Sequence, residues 1–195
     1  MTLDPKKTAL LLAALPDVPF DGWSDALIAR AAKKSDMTET AARKLFPKGA
    51  KDLVLFFSEW ADAEMMKKLT PSKIEKLRVS EKVTLGVRAR LEALTKHKEA
   101  ARAALSYMAL PPRSFFLPKL VWDTADKIWL AAGDTATDYN RYTKRLLLAG
   151  VLTSTAAYWL NDTSPAHEKT WIFLDRRIEN VLSLGRKISS FRKKA

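Results

Sequence analysis

No cysteine occurs in the chain, which excludes disulfide staples and thiolate metal sites and is compatible with a reducing compartment. Glycine is scarce, with six in 195 residues, and the six are widely dispersed. No G-x-G occurs, so neither a dinucleotide fingerprint nor a phosphate loop can be built. A G-x-S-x-G nucleophile elbow is missing as well. Only two histidines are present, His97 and His167, and neither follows a Glu by three residues, so the Glu-x-x-His pairs of a carboxylate di-iron bundle are absent. His97 lies in the basic stretch "TKHKEA" and reads as a surface residue; His167, beside Pro165, reads as a loop residue. No apolar run reaches the ~20 residues that span a bilayer. The opening "MTLDPKKTALLLAALPDVPF" imitates a signal peptide only faintly, because an aspartate precedes the lysines and no small-x-small cleavage site follows promptly. These absences assign the chain no catalytic residue, no metal ligand and no cofactor, and predict that it is not an enzyme.

What is present is positive charge, unevenly placed. The formal net charge is +12, with +1 over residues 1–60, +7 over 67–104 and +6 over 169–195. Basicity therefore belongs to the middle and the C-terminal end, where any polyanion or anionic surface would be met. Hydrophobic residues make up 47% of the chain, enough for a substantial core.

Apolar residues recur every three or four positions almost throughout, which predicts helices. Segments expected to be helical are Lys7–Leu15, "DALIARAAKK" capped by Ser24, "ETAARKLF" capped by Thr38, and "KDLVLFFSEWADAEMMKKL". A long basic helix opening at Pro71–Ser72 follows, with Ile74, Leu77, Val83, Val87, Leu91 and Leu94 as its buried stripe. Then come "HKEAARAALSYMAL", Lys119–Ala132, a helix from about Asp138 to Leu160, and a last one from about Lys169. "VPFDGWS" reads as a turn. Strand alternation is missing, and the Asp21-Gly22 dipeptide is not flanked by alternating apolar runs, so the expectation is an all-α bundle of about nine helices. It divides into an N-terminal subdomain, residues 1–60, and a core, residues 61–195.

"AGDTATDYNRYTKR", residues 132–145, has a composition that a plain core helix does not need. Gly133 suits a helix stop, and Thr137 or Asp138 suits the cap of the next helix. Asp134 and Asp138 form a carboxylate pair, but no nucleophile or base accompanies them. On a helix starting near Asp138, residues 138, 141, 142 and 145 share one face. Tyr142 and Arg145 are the kind of pair that anchors protein interfaces; the alternative is that Asp138, Tyr142 and Arg145 pair with one another on an exposed face.

"WSDALIARAAKKSDMTETAARKLFPKGAKDLV" resembles the helix-turn-helix of TetR-type regulators. Leu27, Ile28, Ala31 and Ala32 form the packing face of its first helix. Two features depart from a DNA reader: the turn "KKSDM" lacks the usual glycine, and "TETAARKLF" offers only Arg43 and Lys44 against Glu39. A TetR-type transcriptional regulator is nonetheless the alternative functional reading, with nucleic acid not expected as the main partner.

The whole chain resembles the ninth coenzyme Q (ubiquinone) biosynthesis protein family. The resemblance is carried by "LPDVPFDGWSDALIARAA", "RKLFPKGAKDLVLFF", "VRARLEAL…KEAARAALSYMALP", "DKIWLAAGDTATDYNRYTKRLLLAGVLTSTAAYWLNDTS" and "TWIFLDRRIENV". It implies a TetR-like fold and a non-enzymatic, lipid-binding helper in ubiquinone biosynthesis. Such a protein holds an isoprenoid quinone intermediate or phospholipid and presents it to a di-iron demethoxyubiquinone hydroxylase. It implies a homodimer formed through the last two long helices, located in the cytoplasm and peripheral at the inner membrane surface. Motif positions carry the partner-binding role to Asp126, Ile128, Asp138, Arg141, Tyr142 and Arg145, with Arg141 standing where the family usually has Trp. Candidate lipid-binding residues are Leu105, Met108, Phe115, Phe116, Trp122, Trp129 and Trp159. For an anionic membrane surface the tail offers Leu184, Ile188 and Phe191 at helical spacing among Arg186, Lys187, Arg192 and Lys193.

Overall fold

The computed structural model describes residues 3–137 and 139–192, and for 184–192 the backbone alone. All regular structure among these residues is helical, as the sequence periodicity predicts. Contacts group the chain into two compact units. One comprises residues 1–67 and 92–120, the other 68–91 and 121–195. The sequence boundary at residue 60 differs from this grouping, because residues 92–120 return to the N-terminal helices, where the Trp23 indole N–H donates to the Ala100 carbonyl at 3.2 Å.

The first unit holds α1 (Pro5–Ala14), α2 (Val18–Asp21), α3 (Asp25–Lys34), α4 (Glu39–Leu45), most of α5 (Ala50–Lys68) and α8 (Lys98–Ala109). Asp4 caps α1 by accepting the Lys6 and Lys7 N–H groups, Ser24 caps α3 at Leu27 N, and Thr38 caps α4 at Ala41 N. Leu27, Ile28, Ala31 and Ala32 are buried, because α3 packs between α1 and α4. The α3–α4 turn closes without glycine. Asp36 takes φ +53 itself, a conformation that aspartate tolerates better than most residues. Gly49, at φ +62, precedes α5, and a Cβ there would fall 2.1 Å from Asp25 Oδ1. That carboxylate accepts the Ala50 N–H at 2.9 Å, so α3 caps the first turn of α5. Trp23, Phe46, Phe56, Phe57 and Trp60 fill the core behind this junction.

Two expectations change here. "VPFDGWS" contains the four-residue helix α2, ended at Gly22. The long basic helix from Pro71 is two helices, α6 (Pro71–Ile74) and α7 (Val79–Leu94). The physical reason is a cap within it: the Glu81 carboxylate accepts the Arg78 N–H at 2.7 Å and the Arg78 guanidinium at 2.8 Å, which restarts the chain as a new helix.

The second unit holds α6, α7 up to Leu91, α9 (Leu117–Ala131) from Val121, α10 (Tyr139–Asn161) and α11 (Glu168–Arg192). Val87, Ala125, Ile128, Leu148, Val151, Trp159 and Leu174 are buried in it. Ile128 of α9 packs on Gly86 of α7, where a Cβ would meet its side chain at 2.8 Å. The turn between α10 and α11 is knotted by Asp162. Its carboxylate accepts Ser164 N at 2.8 Å, Thr170 N at 2.9 Å and the Thr170 hydroxyl at 2.6 Å. Burial pushes this carboxyl up, but those hydrogen bonds outweigh burial and hold it far below the usual range.

Candidate functional site

The site is built on the α9–α10 corner. Helix α9 ends in a Schellman turn: Gly133 N–H donates to Leu130 O and Asp134 N–H to Trp129 O, both at 3.0 Å, with Gly133 at φ +90. The reversal carries Asp134 back over α10, where its side chain is 5% exposed.

Arg145, on α10, is 1% exposed and lies between two carboxylates. Its Nε donates to Asp126 Oδ1 at 2.5 Å, and its Nη1 to Asp134 Oδ2 at 2.9 Å and to the Arg141 carbonyl at 3.2 Å. Lys144 Nζ takes the other Asp134 oxygen at 2.6 Å. Arg141 reaches Asp126 at 3.4 Å. The Trp129 indole N–H donates to Lys144 O at 3.0 Å, and the Lys144 ammonium lies 5.4 Å from the centre of the Trp129 ring.

Burial pushes the Asp134 carboxyl up, yet the bonds from Lys144 and Arg145 outweigh it and hold it below its ordinary value. Burial likewise disfavours the Arg145 cation, and the bonds to Asp134 and Asp126 more than restore it. Asp134 and Arg145 therefore face each other as an ion pair at neutral pH. The cluster ties α9, the turn and α10 into one rigid corner.

Above this lock stand aromatic and aliphatic side chains open to solvent. Tyr139 is 80% exposed, Tyr142 60% and Leu146 67%. Their spacing of three and four places them on one face of α10. Tyr142 leans on Trp122, with ring centroids 6.1 Å apart. Among the described residues the arrangement offers no nucleophile and no paired general acid and base. It can present a firm, mostly apolar ridge edged by the half-exposed Arg141 and Lys144.

Of the residues expected to bind a partner, Asp126, Arg141 and Arg145 are brought together, while Tyr142 faces outward. Arg145 does not share the exposed face that its spacing predicts, because the two carboxylates draw it inward. Ile128 is fully buried, so both residues act on the surface only by shaping it. Asp138 lies outside the described residues. Asp134 and Tyr139 were missed as site residues. The repeat 139, 142, 146 could have signalled Tyr139; no sequence signal reveals that Asp134 folds back.

The seven lipid candidates divide between the units. Leu105 (48% exposed) and Phe115 (78%) are on the surface of the first, where Met108 is buried and Phe116 lies under the Lys51 ammonium, 3.5 Å from its ring centre. Trp122 and Trp129 flank the corner in the second unit, and Trp159 is buried there with its ring 6.0 Å from that of His167. Leu184, Arg186, Lys187, Ile188, Phe191 and Arg192 belong to the last turns of α11, described as backbone only, and Lys193 lies outside the described residues. Among the described residues no group of three or more His, Asp or Glu is placed to hold a metal ion, and no helix is long and apolar enough to cross a membrane. His97 is partly buried with its ring 5.7 Å from that of Trp60, and burial followed by the neighbouring Lys96 charge lowers its pKa. In the helix-turn-helix, Arg43 of α4 is paired with Glu39 at 2.9 Å, which neutralises one of that helix's two cations.

Residues 116–185, which include the whole corner, match the COQ9 family model. The chain is 36% identical over 183 residues to the ubiquinone biosynthesis protein COQ9, mitochondrial, of Xenopus tropicalis, covering 90% of this chain and 57% of that protein. The human protein of the same name is 31% identical over 183 residues, with 90% and 57% covered. The Drosophila melanogaster protein is 30% identical over 191 residues, with 96% and 58% covered. The chain thus spans little more than half the length of these relatives. A TetR transcriptional regulator from Nitrosomonas europaea shares the fold with a TM-score of 0.75 over 92% of this chain and 99% of that chain, at 19% identity.

Proposed function

Because the chain belongs to the COQ9 family, we propose that it serves ubiquinone biosynthesis as a non-enzymatic accessory protein. It binds an isoprenoid quinone intermediate or phospholipid and hands it to a demethoxyubiquinone hydroxylase. In this role it works as a homodimer, peripheral at the inner membrane surface on the cytoplasmic side. The observation that carries the reading is the α9–α10 corner: an exposed Tyr139–Tyr142–Leu146 ridge fixed from beneath by the buried Arg145–Asp126–Asp134 lock. Interfaces gain most from rigid aromatic anchors, since little side-chain entropy is lost when they dock. A corner tied by ion pairs supplies such anchors without chemistry of its own.

Arg141 sets the character of the surface. Its guanidinium reaches back to Asp126 and stays 41% exposed, so this edge meets the hydroxylase with a planar cation. The hydroxylase surface opposite it carries a carboxylate or an aromatic face.

Native mass spectrometry of freshly purified chain, followed by solvent extraction, tests the carrier role. The expected result is a dimer with bound quinone precursor or phospholipid. Protein that is empty from every preparation, including cells enriched in the precursor, refutes lipid carriage.

A further inference from the structure

We propose that Trp122 of α9 is a further anchor of the surface offered to the hydroxylase, so that the docking face spans two helices; the inference rests on the reading of the corner given above. Trp122 lies one turn before Asp126 on α9, and residues four apart share a helix face. Asp126 holds Arg145 and Arg141 of α10, so the face of α9 that grips α10 also carries the indole to its neighbour. There the Trp122 ring stands 6.1 Å from the ring of Tyr142, tilted by 34°. Tyr142 is 60% exposed and Trp122 is half-buried, so the pair continues the apolar ridge from α10 onto α9.

The indole N–H separates Trp122 from a residue that only packs. Trp23, Trp129 and Trp171 each donate theirs to a backbone carbonyl, that of Ala100, Lys144 and Ala166, at 3.2, 3.0 and 2.8 Å. Among the described residues the Trp122 N–H donates to none, and it is not a buried orphan either. It stays within reach of solvent. An amphipathic ring with an unspent donor, steadied by a neighbouring aromatic, is the kind of group that carries interface energy. Its face fits an apolar wall and its N–H fits an oxygen acceptor, so the hydroxylase surface over α9 presents a carbonyl or carboxylate oxygen beside apolar side chains. Against an acyl chain the same donor would be left without a partner, which favours a protein surface over the lipid role that sequence assigns to this residue.

With six tryptophans in the chain, fluorine NMR of the full protein grown on fluorotryptophan tests this directly. The Trp122 resonance is assigned by its loss in Trp122→Phe. On addition of purified hydroxylase it is expected to move and to lose its sensitivity to deuterated solvent, as a ring leaving water does. In calorimetric titration Trp122→Ala is expected to weaken hydroxylase binding about thirtyfold. Trp122→Phe, which keeps a ring and lacks the donor, should weaken it about fivefold, and both variants should keep the parent's circular dichroism. Trp122→Ala combined with Tyr142→Ala should cost less than the product of the two single factors, because the rings touch. A parent chain that binds while the Trp122 resonance stays unmoved, or variants that bind like the parent, overturns this inference and leaves the Tyr139–Tyr142 ridge in place. A resonance that moves with added phospholipid or quinone precursor, and not with the hydroxylase, overturns it too and returns Trp122 to a lipid site. A parent chain that does not bind the hydroxylase at all removes the reading of the corner and this inference together.

Discussion

Replacing Arg145 by Ala is the perturbation whose size the structure sets most directly. The guanidinium is 1% exposed and serves Asp126 and Asp134, the latter 5% exposed. Truncation leaves a buried carboxylate with Lys144 as its remaining ionic partner. Removing one member of a buried ion pair costs about 3–5 kcal/mol. For a chain of this length each kcal/mol moves the midpoint by roughly 2–4 °C, so differential scanning calorimetry is expected to show a drop of about 6–20 °C. Arg145→Lys keeps the charge but not the fork, and should fall between the two. Asp126→Asn with Asp134→Asn in the Arg145→Ala background should recover part of the loss, because no uncompensated buried carboxylate then remains, while Arg141 and Lys144 stay partly in solvent. An Arg145→Ala midpoint within a degree or two of the parent would refute the claim that this ion cluster holds the corner.

Two further predictions concern local chemistry. Asp162 and Asp134 both have folded pKa values below their ordinary ones. Between the two values the unfolded chain binds more protons, so stability rises with pH across that window. The contribution is complete above the ordinary carboxylate range near about pH 4 and is lost as pH falls below it; in urea titrations Asp162→Asn should flatten this acid limb, and an unchanged limb would contradict the cause given. Gly49→Ala should cost more than Gly133→Ala: both sites have positive φ, about 1–2 kcal/mol of strain, but only at Gly49 does the new Cβ strike a neighbour, Asp25 at 2.1 Å. Equal melting midpoints for the two variants would show that the Asp25 cap on α5 contributes nothing.

Much of this architecture can be read without coordinates, because the three-to-four residue spacing of apolar positions marks helices wherever one side is buried. Gly133, Ser24 and Thr38 mark helix ends by local chemistry, and they sit where that chemistry puts them. The division of residues 71–94 into two helices was not legible, since the Arg78–Glu81 cap looks in sequence like any surface pair on a basic helix. The candidate site was legible as a set of residue types and not as a surface. Helical spacing puts residues 141, 142 and 145 near one another, but says nothing of which side a turn will cover. Asp134 covers Arg145 only because the Schellman turn folds the chain back. Leu105 and Phe115 show the same limit: large apolar residues at helical spacing read as interior, whereas here they are exposed.

We propose that the Tyr139–Tyr142 ridge is the surface offered to a demethoxyubiquinone hydroxylase. Calorimetric titration of the purified hydroxylase with the parent chain and with the Tyr139→Ala, Tyr142→Ala variant measures it directly. Both side chains lie mostly in solvent, so the variant should fold with a stability close to that of the parent. The parent is expected to bind, and the variant to lose at least about 2 kcal/mol of affinity, roughly thirtyfold, as interface hot spots do. Equal affinity of a correctly folded variant would contradict it.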